Sequence, residues 1–204
     1  MPKVEVTRYF YWAVAIIIVV FAADQVTKHL VLQADVFNAI GCLPDNRMCG
    51  QVSLQPVMNL TMLWNRGFSF GLAQSEGIGR WVLFALQIGI TGFFFVWLMS
   101  ARAASTALAL ALVIGGALGN AIDRFRFGAV VDFFDFSGPY FGIEIPLPGF
   151  LDGLERVFDR IPDGALGIGF PYIFNVADAA ITIGAVLLII DQFFLNRHDT
   201  ETGN

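Results

Sequence analysis

Charged side chains are scarce in this sequence. Asp, Glu, Lys and Arg together make up only 14% of the 204 residues, whereas hydrophobic residues make up 56% and the mean hydropathy is +0.67. Average proteins carry about 25% charged residues. The composition therefore excludes an ordinary soluble domain and indicates a protein of the lipid bilayer.

Histidine is also rare, which narrows the possible chemistry. His29 and His198 are the only histidines, and neither lies near a candidate nucleophile. The sequence contains no His-Glu-x-x-His zinc motif and no Gly-Asp dipeptide, which another class of intramembrane aspartyl protease uses. Hydrolysis by a histidine-activated nucleophile or by zinc is thus unsupported, and we expect neither a metal nor an organic cofactor.

Cysteine occurs at only two positions, Cys42 and Cys49. An oxidising exterior would join them in a disulfide, and the alternative is a pair of reduced, inert thiols. We favour the disulfide.

Four apolar segments are long enough to cross a bilayer, since a spanning helix needs about 20 mainly apolar residues. They run from about 9 to 32, 81 to 99, 104 to 122 and 176 to 195. A signal peptide is the alternative for the first, but no clear small-x-small cleavage site follows it. We predict a membrane all-α fold, a four-transmembrane-helix bundle, formed by a single domain of residues 1–204.

Two long connections, about 33–79 and 124–175, lie on one side of this bundle. Residues Asn59 to Trp64 alternate polar and apolar side chains, which predicts a strand and a small extracytoplasmic β subdomain. Residues 150–161 place apolar side chains on one helical stripe, which predicts an amphipathic interfacial helix. Such a helix either rests on the bilayer or covers a site as a lid.

The parity of four spans brings several polar residues to the same side as these connections. They are Asp24, Asn65, Asp123, Asp132 and Asp178. The basic residues of the two tails and of the short loop at Arg102 favour cytoplasmic termini. The opposite side carries more arginines, but long loops cross the membrane largely regardless of charge.

The third segment carries a strip of small residues at every fourth position. The strip comprises Ala103, Ala107, Ala111, Gly115 and Gly119, and Asp123 continues it by one step. Small residues let neighbouring helices approach closely. Gly116, Asn120 and Arg124 form the adjoining strip, so this polar helix end should point into the bundle, because ionisable groups are costly in lipid.

The aspartates admit both structural and catalytic interpretations. Asp24 precedes Lys28 by four residues, the spacing of an ion pair on one helix face, and Asp178 suits a helix start, where the dipole favours negative charge. Asp132 follows an apolar run and enters the same corner. Two carboxyl groups that meet in an apolar site share one proton, which makes one a general acid and the other a general base.

Five motifs, in chain order, carry a resemblance to a known family. They are Asp24-Gln25-Val26-Thr27-Lys28, Asn65-Arg66-Gly67, the segment from Gly115 to Arg124, Gly128-Ala129-Val130-Val131-Asp132-Phe133 and Phe174-Asn175-Val176-Ala177-Asp178. Together they resemble bacterial lipoprotein signal peptidase (signal peptidase II), an integral membrane aspartic peptidase, over all four helices. The last three are the specific ones.

The resemblance implies that Asp132 and Asp178 are the catalytic pair. It implies a substrate-binding or supporting role for Asp24, Lys28, Asn65, Gly67, Asn120, Asp123, Arg124 and Asn175. The family cleaves diacylglyceryl-modified prolipoproteins before the lipidated cysteine. The implied partners are these precursors and membrane lipids, with no nucleic acid, and the chain is expected to be a monomer.

The implied location is the bacterial inner membrane, with the active site toward the periplasm and both termini cytoplasmic. The sequence departs from the family pattern at Phe68 and Ser69, where small residues are usual, in the cysteine-bearing first connection and in the long stretch 137–172. These departures concern the shape of the pocket and access to it.

Two alternatives from other classes remain. A proton-coupled transporter also uses membrane acids, but these should lie near the midplane of repeated halves, and no repeats are evident. Asp132 and Asp135 could instead hold Mg²⁺ in a phospholipid-modifying enzyme, since hard cations take oxygen ligands. Activity that survives EDTA would remove that alternative.

Overall fold

A computed structural model describes residues 7–35, 37, 48–54, 58–67, 78–136, 144–146, 165–167 and 172–195. Its long helices are α1 (Phe10–Gln33), α2 (Ile78–Met99), α3 (Ala104–Phe127) and α4 (Val176–Ile190), and a π-helical turn (Asp191–Leu195) continues α4. All four are long and apolar enough to span a membrane. The four predicted spans are confirmed, although α3 continues to Phe127 rather than ending near Ile122.

Helix α3 lies at the centre of the bundle and packs against each of the other three helices. Most of it is buried, whereas α1, α2 and α4 expose large apolar side chains such as Ile18, Phe93 and Ile183. Exposed apolar side chains on a spanning helix suit contact with lipid.

The small residues of α3 make this central position possible. A Cβ atom added at Gly115 would lie 2.9 Å from the Val20 Cβ atom of α1. One added at Gly116 would lie 2.4 Å from the Ala177 carbonyl oxygen of α4. The expected close approach along the strip of Gly115 and Gly119 is therefore present toward α1, and Gly116 of the adjoining strip allows a similar approach to α4.

The long connections contribute a four-stranded antiparallel sheet. Its order is β1 (Met48–Leu54), β2 (Met58–Asn65), β3 (Val130–Asp135) and β6 (Ile173–Phe174), and β4 (Glu144–Pro146) pairs separately with β5 (Ala165–Gly167). The predicted strand at residues 59–64 is confirmed as β2. One face of the sheet packs Met62, Trp64 and Phe133 in an apolar cluster with Val31 of α1.

A sharp turn at Gly128 connects α3 to β3. Gly128 adopts a left-handed conformation with φ of 74° and donates its N–H to the Arg124 carbonyl oxygen, which ends the helix. The turn brings β3 back beside the end of α3. Two of the earlier predictions, the interfacial helix at residues 150–161 and the disulfide, which needs Cys42, concern positions outside the described residues.

Candidate active site

Asp132 lies in the middle of β3 and is completely buried. Its Oδ1 atom accepts a hydrogen bond from Asn175 Nδ2 at 2.6 Å, and its Oδ2 atom accepts one from Asn65 Nδ2 at 3.0 Å. Two amide side chains, from different parts of the chain, thus fix both carboxyl oxygens.

Asp178 lies in the first turn of α4, where Asn175 is the N-cap residue. The Asn175 side chain accepts a hydrogen bond from the Asp178 N–H at 2.9 Å, and Asp178 Oδ2 accepts the Asn175 N–H at 3.4 Å, which forms a capping box. Asn120 Nδ2 donates to Asp178 Oδ1 at 2.7 Å. Asn175 therefore contacts both acids of the predicted catalytic pair.

The environment of Asp132 favours its protonated form. Burial raises the pKa of Asp132 to about 8, and the negative charge of Asp178 contributes to the increase. Hydrogen bonds from Asn65 and Asn175 and the charge of Lys28 act in the opposite direction. At neutral pH, Asp132 therefore retains its proton.

Lys28 is a buried cation that joins α1 to α3. Its ammonium group lies 2.8 Å from Asp24 Oδ2 and 2.7 Å from Asp123 Oδ2, and it donates to Asn120 Oδ1 at 3.0 Å. These three contacts equal the number of donors that a lysine has. The predicted pair of Asp24 and Lys28 is confirmed, and Asp123 is a second partner of the same lysine.

Asp24 and Asp123 also accept backbone hydrogen bonds from residues beside Asp178 and Asp132. Asp24 Oδ1 accepts the Ala177 N–H at 3.0 Å, which fixes the first turn of α4. Asp123 Oδ2 accepts the Val131 N–H at 3.3 Å, one residue before Asp132. Each supporting carboxylate therefore holds the backbone beside one member of the pair.

Asn65 and Gly67 form a small turn at the end of β2. The Gly67 N–H donates to Asn65 Oδ1 at 3.0 Å, so the Asn65 amide group directs its NH₂ toward Asp132. Gly67 has φ of 99°, and an added Cβ atom would lie 2.7 Å from Leu83 Cδ1. Its conformation, which L side chains rarely adopt, favours glycine.

Arg124 lies on α3, one turn after Asn120. Its Nη1 atom donates to Gln87 Oε1 at 2.6 Å, and its charge interacts with Asp178, Asp132 and Asp123. Arg124 thus places a positive charge beside the acidic pair, as expected of a supporting residue.

All ten predicted site residues lie at one end of the bundle, but two residues there were missed. Gln25 Nε2 donates to Asp24 at 3.1 Å and to Asp123 at 3.3 Å, and Gln87 orients Arg124. The position of Gln25 inside the Asp24-to-Lys28 motif was a usable signal. Gln87 gave none, because it is an isolated polar residue in an apolar span.

The geometry does not support the magnesium alternative. Side chains alternate along a strand, so Asp132 and Asp135 point to opposite faces of β3. Asp135 accepts a hydrogen bond from Thr61 instead. Among the residues that the structure describes, no group of three or more His, Cys, Asp or Glu side chains is arranged to hold a metal ion.

An apolar groove of about 370 Å³ lies at the level of the site. Its walls include Ile17 and Phe21 of α1, Phe84 and Ile88 of α2, and Leu118 and Ile122 of α3. The α3 residues of the groove alternate along the chain with Gly119, Asn120 and Asp123. Lipid-facing walls and the polar cluster are therefore two sides of one helix.

Four spanning helices and two neighbouring carboxyl groups at one end, Asp132 buried and Asp178 half-buried, define a multi-pass membrane protein with a candidate acid–base site. A family model described as signal peptidase (SPase) II matches residues 16–194. The chain therefore belongs to the signal peptidase II family, a family of proteases.

Individual relatives agree with this assignment. The chain is 32% identical to a lipoprotein signal peptidase of Caulobacter vibrioides, with 98% of this chain and all of the relative covered. It is 35% identical to one of Shewanella oneidensis, with 94% of this chain and 90% of the relative covered. A bacterial membrane enzyme solved by the in meso method at 2.3 Å matches with a TM-score of 0.54 and 25% identity, covering 94% of this chain and 91% of that one.

Proposed function

We propose that this protein is a lipoprotein signal peptidase of the aspartic type. It removes the signal peptide from diacylglyceryl-modified prolipoproteins and cleaves before the lipidated cysteine. The observation that carries the proposal is the pair of buried Asp132 and half-buried Asp178, held together by Asn175. The names of the similar proteins support the substrate class.

In the proposed mechanism, one aspartate is the general base and the other is the general acid. Asp178, as the carboxylate, removes a proton from a water molecule as the water oxygen attacks the scissile carbonyl carbon. Asp132, as the protonated acid, donates a hydrogen bond to the carbonyl oxygen. When the C–N bond breaks, Asp132 gives its proton to the leaving amine and Asp178 keeps the proton that it took from water, so the pair again holds a single proton.

The surrounding residues hold the pair in the geometry for this reaction. Asn65 and Asn175 orient the Asp132 carboxyl group, and Asn120 orients that of Asp178. Lys28 neutralises part of the charge of Asp24 and Asp123 in a buried region. Such preorganisation is a main source of catalytic power, because no reorganisation is needed during the reaction.

The apolar groove supports a lipid-modified substrate. A signal-peptide helix and two acyl chains would enter laterally from the bilayer, and the groove beside the polar cluster offers them an apolar wall. The modified cysteine would then sit at the level of the acids. Burial of acyl methylenes contributes about 0.8 kcal/mol for each CH₂ group, so the lipid would supply much of the binding.

The proposed location is the bacterial inner membrane, with the site toward the periplasm. The chain acts as a single domain and as a monomer, and its termini are cytoplasmic. Prolipoproteins receive their diacylglyceryl group before cleavage, so the reaction follows a lipid-transfer step in the same membrane.

The decisive experiment compares two catalytic variants with a matched control. Asp132→Asn and Asp178→Asn should each abolish cleavage of a lipidated precursor in proteoliposomes, measured by gel shift, while the protein still accumulates in membranes. Asp191→Asn is the control, because Asp191 is also a buried acid but lies at the other end of the bundle, where it accepts hydrogen bonds from Ser105 and Thr106. The Asp191→Asn variant should cleave the precursor at the wild-type rate.

Normal processing by either catalytic variant would refute the mechanism. Equal cleavage of an unlipidated precursor would refute the proposed substrate class and leave the acid pair intact. Loss of activity in excess EDTA would instead support a metal-dependent reaction.

A further inference from the structure

The pairing of β2 with β3 changes register in the middle of the strands. On one side Asn59 pairs with Asp135 and Leu60 with Phe134, and on the other Leu63 pairs with Asp132, Trp64 with Val131 and Asn65 with Val130. From Leu60 to Leu63 strand β2 advances three residues, while β3 advances two from Phe134 to Asp132. Strand β2 therefore contains one extra residue, a β-bulge at Thr61–Met62.

The bulge decides which face of the sheet Asn65 occupies. Side chains alternate along a strand, so Leu63 and Asn65 share the face of Asp132. If the pairing of Asn59 with Asp135 continued without an extra residue, Asp132 would pair with Met62 instead. Asn65 would then lie on the opposite face, because a shift of one residue turns every later side chain over.

A buried hydrogen bond spans the sheet at the bulge. The Thr61 hydroxyl donates to Asp135 Oδ2 at 2.5 Å, and the two residues are only 3% and 1% exposed. Thr61 is a bulge residue, and Asp135 belongs to the unshifted part of β3. The hydrogen bond therefore connects the bulge to Asp135, which belongs to the strand pairing before the bulge. It opposes a shift of the pairing at this point.

We propose that the bulge, held by the Thr61–Asp135 hydrogen bond, is the device that positions Asn65 against Asp132, and that Thr61 and Asp135 are positioning residues of the peptidase reaction. Both residues act on the acid pair through the register of β2. The inference rests on the proposed catalytic role of Asp132.

Loss of the Thr61 hydroxyl should have the same consequence as loss of the Asn65 amide. The groups that face Asp132 are Asp178 on α4, Lys28 on α1, Arg124 on α3, and the amides of Asn65 and Asn175. Among these, the Asn65 amide favours ionised Asp132. A displaced Asn65 would therefore raise the pKa of Asp132 further.

The test uses the purified full chain in proteoliposomes with a lipidated precursor. Thr61→Val should lower kcat by about tenfold to 100-fold, because displacements of about 1 Å cost this much, and should move the alkaline limb of the pH profile upward. Thr61→Ser keeps the hydroxyl and should restore both quantities. In an Asn65→Ala background, Thr61→Val should cause no further loss, because coupled residues are not additive.

Thr106→Val is the matched control. Thr106 also donates to a buried aspartate at 2.5 Å, Asp191, but at the other end of the bundle. This variant should keep the wild-type kcat and pH profile. If Thr61→Val accumulates poorly, Thr61→Ala serves as the test variant instead, because it removes the hydroxyl without added crowding.

Wild-type kcat and pH profile in the variants without a hydroxyl would overturn the inference. An additive loss in the Asn65→Ala background would also overturn it, because Thr61 would then act by another route. The proposed function fails separately, through an active Asp132→Asn variant. In that case the carboxyl titration of Asp132, followed by infrared spectroscopy, still reports whether Thr61 controls the contact with Asn65.

Discussion

Amide side chains, rather than charges, make the closest contacts with the proposed catalytic pair. Asn65, Asn120 and Asn175 each donate to one of the two acids. An amide can orient a carboxyl group in either protonation state, whereas an adjacent cation would hold it ionised. Lys28 is instead shared by Asp24 and Asp123. Lys28 is thus kept one contact away from Asp178, with Asn120 between them.

The raised pKa of Asp132 predicts the alkaline limit of activity. Because this pKa is about 8, the pair retains its proton at neutral pH and loses it as the pH rises through about 8. Cleavage should decline over that interval. Asn65→Ala removes a group that favours the ionised form, so its decline should occur at higher pH. The pH profiles of the two proteins, measured on one precursor, check this, and a shift to lower pH would contradict it.

The same raised pKa affects folding. Unfolded aspartate titrates near 3.8 and folded Asp132 near 8, so between these values the folded state binds more protons. The contribution of Asp132 to stability therefore decreases as the pH rises from about 4 to 8.

Among the elements, α3 has the most demanding packing. Its glycines touch α1 on one side and α4 on the other, and Gly119 lies directly beside the Asp24 carboxyl group. The helix can carry polar site residues at its end only because these contacts bury them. Packing and site geometry therefore depend on the same residues.

Gly119→Ala should disturb both the packing of α3 and the geometry of the site. The added Cβ atom would lie 2.4 Å from Asp24 Oδ2, so Asp24 must move away from Lys28 and Ala177. Overpacking of this kind costs about 1–3 kcal/mol, and activity should fall with stability. Gly89→Ala is the control, because nothing lies within 4 Å of its added Cβ atom. Thermal unfolding in detergent and cleavage assays measure the difference, and equal behaviour of the two variants would contradict the packing account.

The sequence predicted the local features of the fold and the end of the bundle at which the polar residues meet, but not the individual contacts among them. The four spans, strand β2 and the pair of Asp24 and Lys28 follow from short-range patterns. The extension of α3 beyond Ile122 does not follow from such patterns. Asp123 and Arg124 look like the end of an apolar segment until their buried partners are known. The contact of Lys28 with Asp123 and the bulge in β2 depend on tertiary packing, which no local pattern encodes.

At the scale of the whole molecule, the site joins residues that are far apart in the chain. The hydrogen bond between Asp24 and Ala177 spans 153 residues, and that between Asn65 and Asp132 spans 67. Helices α1, α3 and α4 and strands β2 and β3 all contribute. Because no part of the chain contains a complete site, activity requires the whole bundle.

Reporter fusions can establish the orientation of this bundle. Alkaline phosphatase is active only outside the cytoplasm, so a fusion at the carboxyl terminus or near Arg102 should be inactive. A fusion within the first long connection, residues 33–77, should be active. The proposed periplasmic site requires this pattern, and the reverse pattern would place the acids on the cytoplasmic side.

Asn175 has two structural roles in this molecule. It is at once the residue that begins α4 and the residue that connects the two acids. The first turn of this helix therefore cannot fray without separating Asp132 from Asp178. Unwinding of the first turn of α4 should therefore abolish activity. It should not produce an active enzyme of altered specificity.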